Sequence, residues 1–149
     1  MNPVAVIRQA SCLAAILMLA GCASTKTFVE TLDPSWAALD VRTDVSYDRS
    51  WDRAVDYLVK RFDLEILSRT DGYLRTNWSH TWNGKLDEDY RVRVSLKFSP
   101  DRKTLEIKTE AEKGGPGHWV LGYDTRLTDM TRRDMVALVG VESKTGGTK

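Results

Sequence analysis

The chain has 149 residues, 42% of them hydrophobic, with 22 Lys and Arg against 21 Asp and Glu, which is the composition of one ordinary folded domain. A net charge of +1 leaves no basic footprint for nucleic acid. Two cysteines give neither a disulfide framework nor a zinc spacing.

The N-terminus has the layout of a secretory signal. Arg8 supplies the positive n-region, and residues 10–20 are apolar apart from Ser11. That run is about half of the roughly 20 residues needed to cross a bilayer. Leu19-Ala20-Gly21-Cys22 closes it and resembles the lipobox of bacterial lipoproteins. The resemblance implies cleavage before Cys22 and diacylation of its sulfur, because a thiolate forms the thioether to diacylglycerol while small Ala20 and Gly21 let the backbone into the peptidase. Two acyl chains suffice for stable anchoring. Ala23-Ser24, without Asp after the cysteine, resembles the pattern exported to the outer membrane, which places the domain in the periplasm or at the cell surface.

Four segments are therefore expected: a signal peptide 1–21, a lipidated tether 22–41, a domain 42–141 and a disordered tail 142–149. Cys12 leaves with the signal, so the remaining 128 of 149 residues carry no thiol pair and depend on a packed core. Without Arg8 the side-chain charges balance at 21 against 21. Five tryptophans are many for this length, and any that stay exposed mark a contact surface.

Residues 23–41 lack a sustained period, with Pro34 as a breaker, although Trp36, Ala37 and Leu39 suit docking better than free solution. A strand is expected over 41–47. Trp51, Val55, Leu58 and Phe62 then recur at helical spacing, widened by Ala54 and Val59, with Asp48 or Ser50 as the cap. Residues 64–68 read as a strand and Thr70-Asp71-Gly72 as a hairpin turn. Extended, 73–82 puts Leu74, Thr76, Trp78, His80 and Trp82 on the drier face and Tyr73, Arg75, Asn77, Ser79 and Thr81 on the wetter one.

Tyr90, Val92, Val94, Leu96 and Phe98 alternate with Arg91, Arg93, Ser95 and Lys97, the signature of an antiparallel strand with one solvated face. Residues 104–111 repeat the alternation, 112–118 read as a loop, and 125–139 read as a second helix ended by Gly140. The expected order is β-α-β-β-β-β-α. One antiparallel sheet covered on one face by two helices, an α+β fold, satisfies every apolar stripe.

Sites of chemistry are sparse. His80 and His118 lie in no nucleophile motif, so the expectation is not an enzyme; an acid–base pair would need His80 beside Asp87 or Glu88. Asp87-Glu88-Asp89 lacks the spacing of a calcium loop, and Gly114-Gly115-Pro116-Gly117 lacks the Lys-Ser/Thr of a phosphate loop. No metal or cofactor is expected. Asn77-Trp78-Ser79 matches a glycosylation sequon only formally. Arg91, Arg93 and Lys97 form a basic row, with Arg75 and Lys108 on neighbours and Glu106 and Glu110 to balance it. Trp36, Trp82, His118 and Trp119 are the candidate partner or ligand surface.

Asp71-Gly72-Tyr73-Leu74-Arg75-Thr76-Asn77-Trp78, followed by Tyr90-Arg91-Val92-Arg93-Val94, resembles the repeated domain of the BamC family, lipoproteins of the outer-membrane β-barrel assembly machinery. The resemblance covers about 41–139 and implies a helix-grip fold, in which an antiparallel sheet grips a long C-terminal helix. Its room for one domain and its short tether depart from BamC itself. The expected function is a non-catalytic scaffold or accessory lipoprotein of the envelope, with a periplasmic or outer-membrane protein as partner. The alternative is a periplasmic small-ligand or lipid-binding module with its mouth at the 114–119 loop.

Overall fold

One antiparallel sheet of eight strands carries two helices packed on the same face, so the chain is α+β. The computed structural model describes residues 27–141; the expected signal peptide 1–21, the expected lipidation site Cys22 and the expected tail 142–149 lie outside them. In chain order the elements are β1 (Phe28–Glu30), β2 (Ala37–Val41), α1 (Tyr47–Val59), β3 (Leu64–Ser68), β4 (Tyr73–Thr76), β5 (Tyr90–Phe98), β6 (Thr104–Lys113), β7 (Val120–Asp124), α2 (Thr125–Val139) and β8 (Gly140–Val141). Across the sheet the order is β1-β7-β6-β5-β4-β3, and β2, itself paired with β8, lies beside the first half of β6.

The β5–β6 hairpin is the spine. It pairs from Tyr90↔Lys113 to Phe98↔Leu105 without a break. The strand period of two then sends Val92, Val94 and Leu96 inward, where none retains solvent exposure, and Arg91, Arg93 and Lys97 outward. α1 lays Trp51, Ala54, Tyr57 and Leu58 on that inner face, with the Trp51 ring 6.2 Å from that of Phe98. α2 adds Leu127, Met135 and Val139. Arg53 joins the two helices by donating from Nη1 to the carbonyl of Leu138 at 2.8 Å.

The structure corrects four local expectations. Part of the stretch read as tether, 22–41, belongs to the sheet: β1 pairs with β7 and β2 with β6, and Leu39 is fully buried. Neither strand has a long enough period of its own to show in sequence; each exists because a partner strand supplies its hydrogen bonds. The expected 41–47 strand ends at Val41, and the cap of α1 is Ser46, whose hydroxyl accepts from the Arg49 amide, rather than Asp48 or Ser50. Ser50 is buried inside the helix.

The 112–118 loop is shorter than expected, because β6 continues to Lys113, and β7 follows it unanticipated. The chain order is thus β-β-α-β-β-β-β-β-α-β.

The fourth correction repositions a tryptophan. β4 stops at Thr76, whose buried Oγ1 accepts from the Val94 amide at 3.0 Å and so takes the N–H that a continuing strand would have used. Pairing resumes only at Ser79↔Val92. The intervening irregularity re-aims the chain, as bulges do. Trp78, expected on the inner face with Leu74 and Thr76, instead lies over Arg91 and Arg93 on the outer face.

Candidate functional surface on the open face of the sheet

Five planar groups meet on the face that the helices leave uncovered. The Arg93 guanidinium lies 4.5 Å from the centroid of Trp78, Arg91 lies 4.8 Å from Trp78 and 4.2 Å from Trp119, and the ring of His80 is 6.0 Å from that of Trp119. Each contact follows from backbone placement. Arg91 and Arg93 are two residues apart on β5 and therefore side by side on one face. Trp78 is delivered by the irregularity after β4, and Trp119 by the turn between β6 and β7.

Carboxylates on β6 hold the cations from beneath. Arg93 donates from Nε and Nη2 to the two oxygens of Glu110 at 2.7 and 3.1 Å, and Arg91 donates from Nε to Glu112 at 2.7 Å. These are the directly opposed pairs Arg93↔Glu110 and Arg91↔Glu112 of the hairpin register. Glu110 is only 8% exposed, and its carboxylate raises the Arg93 pKa above the ordinary guanidinium value through hydrogen bonding. On the neighbouring strands Arg75 pairs with Glu65 at 2.9 Å. The three arginines of the expected basic row, Arg93, Arg91 and Arg75, are therefore neutralised by Glu110, Glu112 and Glu65, while Lys108 Nζ lies 3.9 Å from Asp33. Such a face offers flat aromatic and guanidinium surfaces held in place, suited to stacking and apolar contact rather than to collecting anions.

The four sequence candidates separate. Trp119 is in the stack. Trp36, 41% exposed, lies farther along the same face with Lys108 Nζ 5.8 Å from its ring. His118 is exposed in the turn before Trp119 and uses its backbone amide to bond Gly115. Trp82 lies on the opposite side, in a cleft of about 470 Å3 with Phe28, Tyr90, Asp124 and Arg126. Trp78, Arg91 and Arg93 join the surface, although an unbroken alternation over 73–82 places Trp78 on the drier face. The signal available for them was the basic alternation of β5.

His80 and Asp87 do come together, but as Nδ1 against the Asp87 backbone carbonyl at 2.9 Å, not against its carboxylate. Beside Trp78 and His80 a polar groove of about 280 Å3 opens toward Arg61 and Asp63. Among the described residues no three of His, Cys, Asp and Glu gather as a metal ion requires. No helix among them is long and apolar enough to cross a membrane. No protein-family model matches the chain, and no curated protein matches it.

Proposed function

We propose that this protein is a lipid-anchored component of the bacterial envelope that binds a protein partner through the open face of its sheet, without catalysis. The observation that carries this reading is the Trp119–Arg91–Trp78–Arg93 stack, with Trp36 on the same face. Aromatic side chains and arginine are the residue types that dominate protein interfaces. Here their rotamers are already fixed by stacking and by Glu110 and Glu112, which lowers the entropy lost on docking. The lipobox-like Leu19-Ala20-Gly21-Cys22 supports the anchor, and the resemblance to BamC supports outer-membrane protein assembly as the process served.

The test is a photocrosslinking amino acid placed in turn at Trp36, at Trp119 and at Arg49 on the exposed side of α1, in intact envelopes. The expected result is one protein adduct shared by Trp36 and Trp119 and absent at Arg49. Adducts from Arg49 alone, or none from either tryptophan position, overturn the reading.

A further inference from the structure

The start of β1 changes how far the domain can stand from a membrane. Thr27 is fixed to the fold: its Oγ1 donates to Asp124 at 2.6 Å, and its carbonyl accepts from the Thr125 amide at 2.9 Å. Only Ala23-Ser24-Thr25-Lys26 separate Thr27 from Cys22, so the two Cα atoms can be no more than about 18 Å apart whatever path the chain takes. A tether ending at residue 41 would have allowed several times that reach.

Thr27 also forms part of the wall of the 470 Å3 cleft that holds Trp82. Three features of this cleft point to a ligand. The Trp82 indole N–H is buried with no acceptor among the described residues. Lys113 has no ion pair or side-chain hydrogen bond among them, and Arg126 only lies near the Trp82 ring, at 5.8 Å. Asp87 and Asp89 line the same cleft, and among the described residues no ion pair joins either of them to Lys113 or Arg126, while the third carboxylate there, Asp124, is held by Thr27, Tyr90 and the Leu127 amide. The loop that carries Trp82 also extends Leu86 into solvent, 68% exposed.

We propose that this cleft seats a zwitterionic phospholipid headgroup of the membrane that holds the anchor, with Arg126 and Lys113 on the phosphate and Asp87 and Asp89 on the ammonium. The inference rests on acylation of Cys22. Its chemistry is that of a membrane interface: a half-buried indole whose N–H still needs an acceptor, cations for phosphate, and an exposed leucine beside them. Mixed charge selects a headgroup carrying both signs over a purely anionic one. The covalent anchor raises the local lipid concentration, so an individually weak headgroup contact is occupied.

The experiment uses the mature, acylated full chain reconstituted in phosphatidylethanolamine vesicles whose acyl chains carry bromine next to the headgroup, a short-range quencher of indole emission. Intact mass and vesicle flotation are recorded first. The expected result is a quenched component of the fluorescence that is lost in Trp82→Phe and kept in Trp119→Phe. Lys113→Glu with Arg126→Glu, in a protein that retains its circular dichroism, should also abolish it. An acylated, floating protein whose quenching is unchanged in Trp82→Phe overturns the headgroup site alone. A chain without acyl groups removes the anchor reading and this inference together.

Discussion

The phenol of Tyr90 donates to Asp124 Oδ2 at 2.6 Å, and that carboxylate joins three elements. Thr27 donates to the same oxygen at 2.6 Å, and the Leu127 amide donates to Oδ1 at 2.9 Å, which makes Asp124 the N-cap of α2. Asp124 is 1% exposed, an affordable placement for a charge only because each oxygen is hydrogen-bonded. Asp124→Ala removes a cap contributing about 1 kcal/mol and strands buried donors at about 1–3 kcal/mol each. The expected loss in urea unfolding is about 3 kcal/mol, with a smaller loss for Asp124→Asn. A loss below about 1 kcal/mol would contradict this role.

The same contact sets an alkaline limit. Burial, then the hydrogen bond to Asp124, raises the Tyr90 pKa well above that of a free phenol. The neutral form is therefore favoured in the folded state: its stabilisation is complete below the unfolded value of about 10 and falls as pH rises toward the folded value. Tyr47 and Tyr57, also raised chiefly by burial, add to the trend. Melting temperature should drop above pH about 10, and Tyr90→Phe should flatten that drop. An identical slope in the variant would count against the assignment.

On the open face, the stack is expected to behave as one unit. Glu110→Gln breaks a bidentate, mostly buried pair and should cost about 1–2 kcal/mol. Trp78→Ala loses two cation–π contacts of about 0.5–1 kcal/mol each as well as buried ring area. A double-mutant cycle between Trp78 and Arg93 should give a coupling above about 0.5 kcal/mol, and additivity would show that the groups are merely adjacent.

Gly122 controls the attachment of β1. A Cβ at this position would lie 2.2 Å from the Val29 carbonyl oxygen and 2.7 Å from the Phe28 ring, so any larger residue pushes β1 off β7. Gly122→Val is expected to speed hydrogen exchange across Phe28–Glu30 at least about tenfold, equivalent to about 1.4 kcal/mol, while β5 and β6 keep their protection. Unchanged exchange in β1 would contradict the tight packing. In the acylated protein the same change should weaken the Trp82-dependent quenching by brominated lipid, because Thr27 no longer fixes the anchor to the cleft.

Elements with a long internal period were legible in the sequence. The Trp51, Val55, Leu58 and Phe62 spacing located α1, the nine-residue alternation located β5, and α2 spans the expected 125–139. β1, β2 and β7 were not legible, because each is five residues or fewer and is stabilised by pairing with a distant strand. In β7 the buried inward residues are Gly122 and Asp124, so the alternation has no buried apolar member on its inner side. Of the candidate surface, Trp36 and Trp119 could be singled out as aromatics beside loops. The position of Trp78 could not, since it depends on Thr76 taking the Val94 amide and so breaking the strand's alternation.

Intact mass spectrometry of the protein extracted from envelopes decides whether the domain is held at the membrane by its own N-terminus. The expected species is a chain beginning at Cys22 that carries a diacylglyceryl thioether and an N-linked acyl chain, together shifting the mass by three fatty acyl groups and one glyceryl unit. A chain that keeps residues 1–21, or one that begins elsewhere and carries no lipid, would contradict it.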